Sequence, residues 1–260
     1  PGSPVYLTAR SLHAGWASSK ALSQAGIDAR TPDPPNGEIL RNADGTPSGV
    51  LLEAAMSLLE KAIPEPDPAD LADDLQQEVL PSLWRLGLTG VHDFDRRTCL
   101  QALQILEQRG TLGLRVLKSI PVETLSHAAS LGVRGGLGSD RLRLGQVKTF
   151  ADGALGPHTG AMFTPYEADG DNCGLLILDA EAVFQLGCRA AQAGFSLAVH
   201  AIGDRAVHEV LLGLDRLREY ERQQGMPARR HRIEHVQVCQ PEDARRLAAL
   251  GVIAAMQPTH

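Results

Sequence analysis

The sequence lacks the features that mark several large classes of protein. It has only four cysteines, far apart and without a C-x-x-C pair, which excludes a zinc ribbon and a small disulfide-stapled fold. We interpret the four thiols as reduced, which predicts a cytoplasmic location. No run of about 20 apolar residues occurs, so we expect no transmembrane helix and no membrane partner.

Positive charge is also scarce. The 260 residues include 25 Lys and Arg against 31 Asp and Glu, a formal net charge of -6, and no basic run interrupts that balance. Since nucleic acid is a polyanion, we expect no nucleic-acid partner. Glycine-rich loops of the G-x-G-x-x-G or G-x-x-x-x-G-K-S/T type are missing too, which gives little support to a nucleotide-binding sheet.

What the chain does contain falls into two regions. Residues 1–66 are dense in turn-forming residues, and we expect an irregular α+β insertion there, with short helices over 17–26 and 51–62. From residue 67 onward, apolar strands alternate with helices, the order typical of a parallel sheet with crossover helices. We therefore predict that residues 67–260 form part of an α/β barrel, the (β/α)8 fold of the TIM barrel.

Six strands are predicted in the second region, at LTGVHDF, LGLRVLKSI, LRLGQVKTF, FSLAVHA, RHRIEHVQV and VIAAMQP. Residues with capping preferences bound the helices between them. Asp179 and Asp204 precede helical patterns as candidate N-caps, and Pro241 and Gly251 mark the first turn and the end of another helix. His231 comes just before a strand, and we expect it at the surface.

Polar side chains stand near the ends of three consecutive strands, at Lys148, His200 and His235. Each has an ordinary explanation on its own, since a strand-end imidazole can bond a loop carbonyl and a lysine can reach the rim of the sheet. In a β/α barrel, however, chemistry occurs at the carboxyl ends of the strands. Because imidazoles are common zinc ligands, the coincidence on three strands favours a metal site.

Lys148 has a place in such a site only if its charge changes. An ammonium group beside a metal ion would face both repulsion and a large desolvation cost. Carbamylation by carbon dioxide converts the amine into a carboxylate, which can bridge two metal ions. A strand-end lysine also suits a Schiff-base aldolase, although two histidines on the following strands suit a metal better.

The motifs VKTFADGALG, HAIGDRAV and RIEHVQ resemble those of the amidohydrolase superfamily, specifically the family 3 (YtcJ-like) branch that includes N-substituted formamide deformylase. Other similar segments, PVYLTARSLHAGWASSKAL, GEILRNADGTPSGVLLEAA and VIAAMQPTH among them, extend the resemblance over almost the whole chain. The resemblance implies a metal-dependent hydrolase that cleaves carbon–nitrogen bonds of a small amide-type substrate by metal-activated hydroxide.

The resemblance also implies roles for individual residues. Lys148 would be the carbamylated ligand that bridges two divalent ions, and His200 and His235 would hold the second ion. Zinc is the first choice, with iron, manganese or nickel as alternatives. The substrate stays open among deacetylation, deformylation and cyclic-amide hydrolysis. Three further residues would line the substrate pocket: Asp152, Arg205 and His260.

Some features of the family are missing from the sequence. No H-x-H pair occurs to hold the first metal, and neither the metal-binding Asp of the eighth strand nor the small β-sandwich domain is present. We therefore expect an internal piece, about strands two to seven of the barrel behind the insertion. The alternative is a catalytically incompetent fragment without bound metal. Exposed strand edges near 88–94 and 252–257 predict self-association.

Overall fold

The computed structural model describes residues 2–258, which fall into two compact units. The small unit consists of the chain up to Pro64 together with Asp152–Ile177 and Ile202–Ala206. The remaining described residues form the half-barrel unit, named for the curl of its sheet. Each unit contains a hydrophobic cluster of its own.

The small unit is more regular than its sequence suggests. Its elements are β1 (Tyr6–Thr8), β2 (Ala14–Ala17), α1 (Ser19–Gln24), β3 (Gly37–Arg41), β4 (Pro47–Glu53) and α2 (Met56–Glu60). The strands form one antiparallel sheet in the order β1-β2-β4-β3, with Ile39 and Leu51 buried in its core. The helix predicted over 51–62 is wrong at its start, because the chain stays in β4 as far as Glu53.

The half-barrel unit is built on a six-stranded parallel sheet, which confirms the six predicted strands. The strands lie side by side in sequence order, and every neighbouring pair is parallel. This arrangement is that of part of a β/α barrel. The strands are β5 (Gly90–Asp93), β6 (Arg115–Pro121), β7 (Leu142–Phe150), β8 (Leu197–Ala201), β9 (Arg232–His235) and β10 (Ile253–Ala255).

The sheet of the half-barrel unit is curled. Three strands separate β5 from β9, and at about 4.8 Å per strand a flat sheet would hold the two roughly 19 Å apart. Arg232 on β9 nevertheless places its Nη1 atom 2.9 Å from Nδ1 of His92 on β5. Polar side chains therefore meet across the concave face of the sheet.

Helices join the successive strands. They are α3 (Pro68–Asp74), α4 (Leu80–Arg85), α5 (Arg97–Gln108), α6 (Leu125–Ser130), α7 (Ala180–Gln192), α8 (Asp204–Gln223) and α9 (Pro241–Leu250). Leu103 and Leu106 of α5 share a core with Val116 of β6. Within the described chain, every helix is too short or too polar to cross a membrane.

A wide helical turn accommodates the proline between α3 and α4. The sequence predicts one helix over 69–87 despite Pro81, and the structure keeps the segment helical by inserting a π-helical turn at Leu75–Val79. The Leu80 N–H donates to the Leu75 carbonyl, five residues back. Because proline has no N–H and its ring crowds the preceding turn, a looser turn at this point relieves the conflict.

The capping predictions for Asp179, Pro241 and Gly251 are confirmed, and the N-cap role of Asp204 stays a prediction. The Asp179 carboxylate accepts a backbone N–H from the first turn of α7 at 2.8 Å. Asp204 begins α8, and its carboxylate accepts the N–H of Arg205 at 2.9 Å. Helix α9 starts at Pro241, and Gly251 directly after it has a φ of 60°, a left-handed conformation that favours glycine.

The expectation that His231 lies at the surface is wrong. Its side chain is 0% exposed. The Nδ1 atom accepts the Leu197 N–H at 3.1 Å, and Nε2 donates to the Glu221 carboxylate at 3.1 Å. A carboxylate ten residues earlier on α8 therefore decides the burial of this imidazole.

Candidate metal centre

Lys148, His200 and His235 lie on three adjacent strands of the half-barrel unit. Strand pairing sets Phe150, rather than Lys148, opposite His200, so Lys148 sits two residues earlier on the same face. The next pairing sets Ala201 opposite His235. The structure thus brings the three predicted ligands to one end of the sheet, spread over a few residues along the strands.

The two imidazoles meet where β8 and β9 end. Their ring centroids are 4.6 Å apart, with an angle of 68° between the planes. Glu234 pairs with His200, so regular alternation would turn the next residue, His235, to the other face. The left-handed backbone at His235 (φ 78°) and Val236 (φ 49°) breaks that alternation and brings the ring to His200. Strained backbone of this kind is typical of functional sites.

His235 has a side-chain partner from the end of the next strand. Its Nδ1 atom lies 2.7 Å from Oε1 of Gln257. The amide nitrogen of Gln257 in turn donates to the carbonyl of Ala255 at 3.2 Å. The imidazole is thus held at Nδ1 by a chain of contacts that ends on the backbone of β10.

Lys148 is buried among aromatic rings. Its side chain does not reach the rim of the sheet, since only 8% of the residue is exposed. The Nζ atom lies 3.8 Å from the ring centroid of Phe150 and 5.5 Å from that of Phe94. It also donates to the Thr149 carbonyl at 3.1 Å. Aromatic faces stabilise a cation modestly, so the rings of Phe94 and Phe150 contribute to holding the amine at this buried position.

A polar network lies beside the imidazoles on the concave face. The guanidinium of Arg232 forks onto the Glu234 carboxylate, with distances of 2.5 and 3.0 Å. The same guanidinium contacts His92, and burial together with the Arg232 charge lowers the pKa of His92. His92 is therefore held as a neutral acceptor, and Glu234 is fixed next to His200. The contact between His92 and Arg232 has no local signal in the sequence, because the two residues are 140 positions apart.

A second cluster with ligand-type side chains lies at the end of β5. Among the described residues, Asp93, Asp95 and Cys99 are a group of three whose ligand atoms lie within 4.8 Å of one another. The ammonium group of Lys118 already occupies the cluster, donating to the Asp93 carboxylate and the Asp95 carbonyl. Burial raises the pKa of Cys99 to about 12, which keeps the thiol protonated and a poor metal ligand. We interpret the cluster as a structural ion pair.

The three residues predicted to line the substrate pocket lie in different surroundings. Asp152 is buried in the small unit, and its carboxylate accepts the backbone N–H groups of Ala161, Ile202 and Gly203 at 2.9, 3.0 and 2.8 Å. Burial raises the pKa of Asp152 to about 6, although the three donors oppose the shift. Arg205 is exposed at the start of α8. His260 lies outside the described residues, and the pocket roles of all three stay predictions.

The small unit also contains a histidine–carboxylate pair that the sequence did not reveal. Nδ1 of His13 lies 2.8 Å from the Glu53 carboxylate, and both side chains are nearly buried. The Thr159 hydroxyl donates to the other oxygen of Glu53. Glu53 adopts a left-handed φ of 49°. Separations of 40 and 106 residues leave no local signal for such a network.

Comparison with known sequences identifies the family. The sequence pattern of the Amidohydrolase family matches residues 1–260, so the chain belongs to that family. YtcJ of Bacillus subtilis (strain 168) is 31% identical over 264 residues, and N-substituted formamide deformylase of Arthrobacter pascens is 29% identical over 271 residues. Each match covers 99% of this chain and 48% of the relative. The chain therefore spans about half the length of these curated relatives.

Solved structures agree with this assignment. An uncharacterized metal-dependent hydrolase from Pyrococcus furiosus superposes with a TM-score of 0.74 at 26% identity, over 99% of this chain and 51% of its own. A second uncharacterized metal-dependent hydrolase, from Pyrococcus horikoshii OT3, gives a TM-score of 0.73 at 27% identity, over 98% of this chain and 49% of its own. The family inferred from the strand-end motifs is confirmed.

Proposed function

We propose that this chain is part of a metal-dependent hydrolase. The enzyme cleaves carbon–nitrogen bonds, other than peptide bonds, in a small amide-type substrate. The observation that carries the proposal is the convergence of Lys148, His200 and His235 on adjacent strands, with the imidazole rings 4.6 Å apart. Two relatives support the reaction class, since one is named a formamide deformylase and another a metal-dependent hydrolase.

The donor set fits a divalent cation. Two imidazoles offer nitrogen ligands at the ends of neighbouring strands, as zinc sites require. Lys148 is buried on β7, the strand next to that of His200, and as an ammonium group it would oppose a bound cation. A carbamate on its Nζ atom would replace that positive charge with a negative one and supply oxygen ligands. Zinc suits this mixture of nitrogen and oxygen donors, and iron, manganese and nickel follow.

The residues of the chain would then hold the ion, and the ion would supply the chemistry. An ion held in this site supplies a Lewis acid and lowers the pKa of a water molecule towards neutrality. His200 and His235 would hold the ion at the carboxyl ends of β8 and β9, and a carbamate on Lys148 would supply oxygen ligands. We propose a formyl, acetyl or cyclic amide as the substrate.

Metal analysis tests the proposal directly. The chain is produced with zinc and bicarbonate, and its metal content is measured by plasma mass spectrometry for the wild type and the His200→Ala variant. His158→Ala is the matched control, since His158 is a half-exposed histidine of the small unit. We expect near-stoichiometric zinc in the wild type and the control, and a large loss in His200→Ala. Equal zinc in all three proteins, or none in the wild type, would contradict the proposal.

A further inference from the structure

We propose that Gln257 is a positioning residue that fixes the proton of His235 on Nδ1 and so presents Nε2 to the metal. This inference rests on the proposed function for its consequence, because it concerns a ligand of the proposed site. Its structural part, the position of a proton on one imidazole, can be tested without any metal.

The first step concerns the orientation of the Gln257 amide. Its nitrogen lies 3.2 Å from the carbonyl oxygen of Ala255. A carbonyl oxygen can only accept a hydrogen bond, so the amide must turn its NH₂ group towards Ala255. The backbone of β10 therefore decides which end of the side chain carries the oxygen.

The orientation of the Gln257 amide determines which ring nitrogen of His235 bears the hydrogen. With its nitrogen committed to Ala255, Gln257 turns Oε1 towards His235, 2.7 Å from Nδ1. An amide oxygen is also an acceptor only, so Nδ1 of His235 must bear the hydrogen. In the neutral ring the lone pair then lies on Nε2, which is the form that a metal requires of that nitrogen.

The contact between Gln257 and His235 has the form that is usual for a histidine that binds a metal. Histidine ligands of metals usually donate their second N–H to a fixed acceptor, which sets both the tautomer and the ring orientation. The left-handed backbone of His235 directs its side chain towards His200, and the backbone does not itself determine the rotation of the ring about the Cβ–Cγ bond. The Gln257 bond constrains that rotation, and strand pairing brings Gln257 near His235, since Ala255 lies opposite Glu234.

Nitrogen NMR of metal-free protein tests the tautomer. Protein labelled with ¹⁵N-histidine is compared as wild type, Gln257→Leu and Gln257→Glu. Gln257 is exposed, so these changes leave the core intact. We expect the Nδ1–H form of His235 in the wild type and in Gln257→Glu, which keeps an acceptor, and a shift towards Nε2–H in Gln257→Leu. An Nε2–H form in the wild type would overturn the proposal.

Zinc affinity tests the consequence. Competition with a chromophoric chelator gives the Kd of each variant, and Gln185→Leu on α7 is the matched control. Loss of a bond that orients a ligand typically weakens metal binding about 10–100-fold, and we expect that loss in Gln257→Leu alone. Unchanged affinity in Gln257→Leu would overturn the positioning role. Absence of zinc binding in every protein, with the tautomer as expected, would instead refute the proposed function.

Discussion

The half-barrel unit contains two buried lysines on neighbouring strands, and their surroundings differ in kind. Lys118 on β6 is 2% exposed and forms an ion pair with the Asp93 carboxylate. Lys148 on β7 is 8% exposed and lies against the faces of Phe94 and Phe150. A buried cation with a matching anion serves the fold. The amine of Lys148 lies among aromatic rings on the face of the sheet that also carries His200, and we propose that this position allows its carbamylation.

Removal of each lysine should lower the free energy of unfolding, and we expect the larger loss on removal of Lys118. Loss of one partner from a buried ion pair costs about 3–5 kcal/mol, because the other charge stays buried. Since Asp93 is 17% exposed, we expect the lower end of that range for Lys118→Met. Lys148→Met keeps a long side chain against the rings of Phe94 and Phe150, so we expect it to cost less than Lys118→Met.

Urea unfolding of both variants at neutral pH checks this expectation. The double variant Lys118→Met/Asp93→Leu is the control, because removal of both charges should restore much of the lost stability. Equal destabilisation by Lys118→Met and Lys148→Met would break the contrast between the two sites.

Buried His231 and exposed His158 differ in a similar way, and we expect the contribution of His231 to stability to depend on pH. Burial lowers the pKa of His231 from 6.5, against the pull of Glu221. The unfolded chain therefore binds a proton more readily than the folded one, so stability is full above pH about 6.5 and falls as the pH drops through that value. Protonation of Nδ1 would break the bond from the Leu197 N–H.

Unfolding free energies at pH 8 and pH 5.5 test this dependence. Glutamine can make both bonds of His231 without titrating, so we expect His231→Gln to show a flatter pH dependence by up to about 1.4 kcal/mol per pH unit within the window. His158→Gln, at an exposed histidine, should keep the wild-type slope. A variant slope equal to that of the wild type would contradict the burial argument.

The strands at the edges of the sheet should affect the association of the protein, and we expect a smaller effect there than in the variants above. The site residues lie on β7, β8 and β9, whereas β5 and β10 are the outermost strands of the described sheet. We propose that these edges drive self-association, because unpaired strand edges recruit other chains. Ala254→Pro removes an N–H donor from β10 and should shift the protein towards monomer in sedimentation velocity. A purely monomeric wild type would refute the proposal.

The sequence predicted those features that local patterns encode. The six strands follow from runs of apolar residues, and Asp179 and Gly251 follow from the preferences of helix ends. The positions of Lys148, His200 and His235 near the ends of adjacent strands could be predicted, because parallel strands bring their carboxyl ends to one edge, and their role as ligands stays a prediction. No pairing information was needed for any of these.

Features that depend on distant partners could not be predicted. The burial of His231 depends on Glu221 and Leu197, and the Lys118–Asp93 pair joins residues 25 positions apart. The sheet of the small unit was missed because its first two strands are only three and four residues long. Strands that short carry too little alternation to be distinguished from turns.

Detection of a carbamate shows whether Lys148 enters the metal site in carbamylated form. The wild type, Lys148→Met and the exposed-lysine control Lys61→Met are prepared with zinc and ¹³C-bicarbonate, and carbon NMR is recorded for each. We expect one carbamate carbon signal in the wild type and the control, and none in Lys148→Met. A wild-type protein that binds zinc without that signal would contradict the claim that Lys148 enters the metal site as a carbamate.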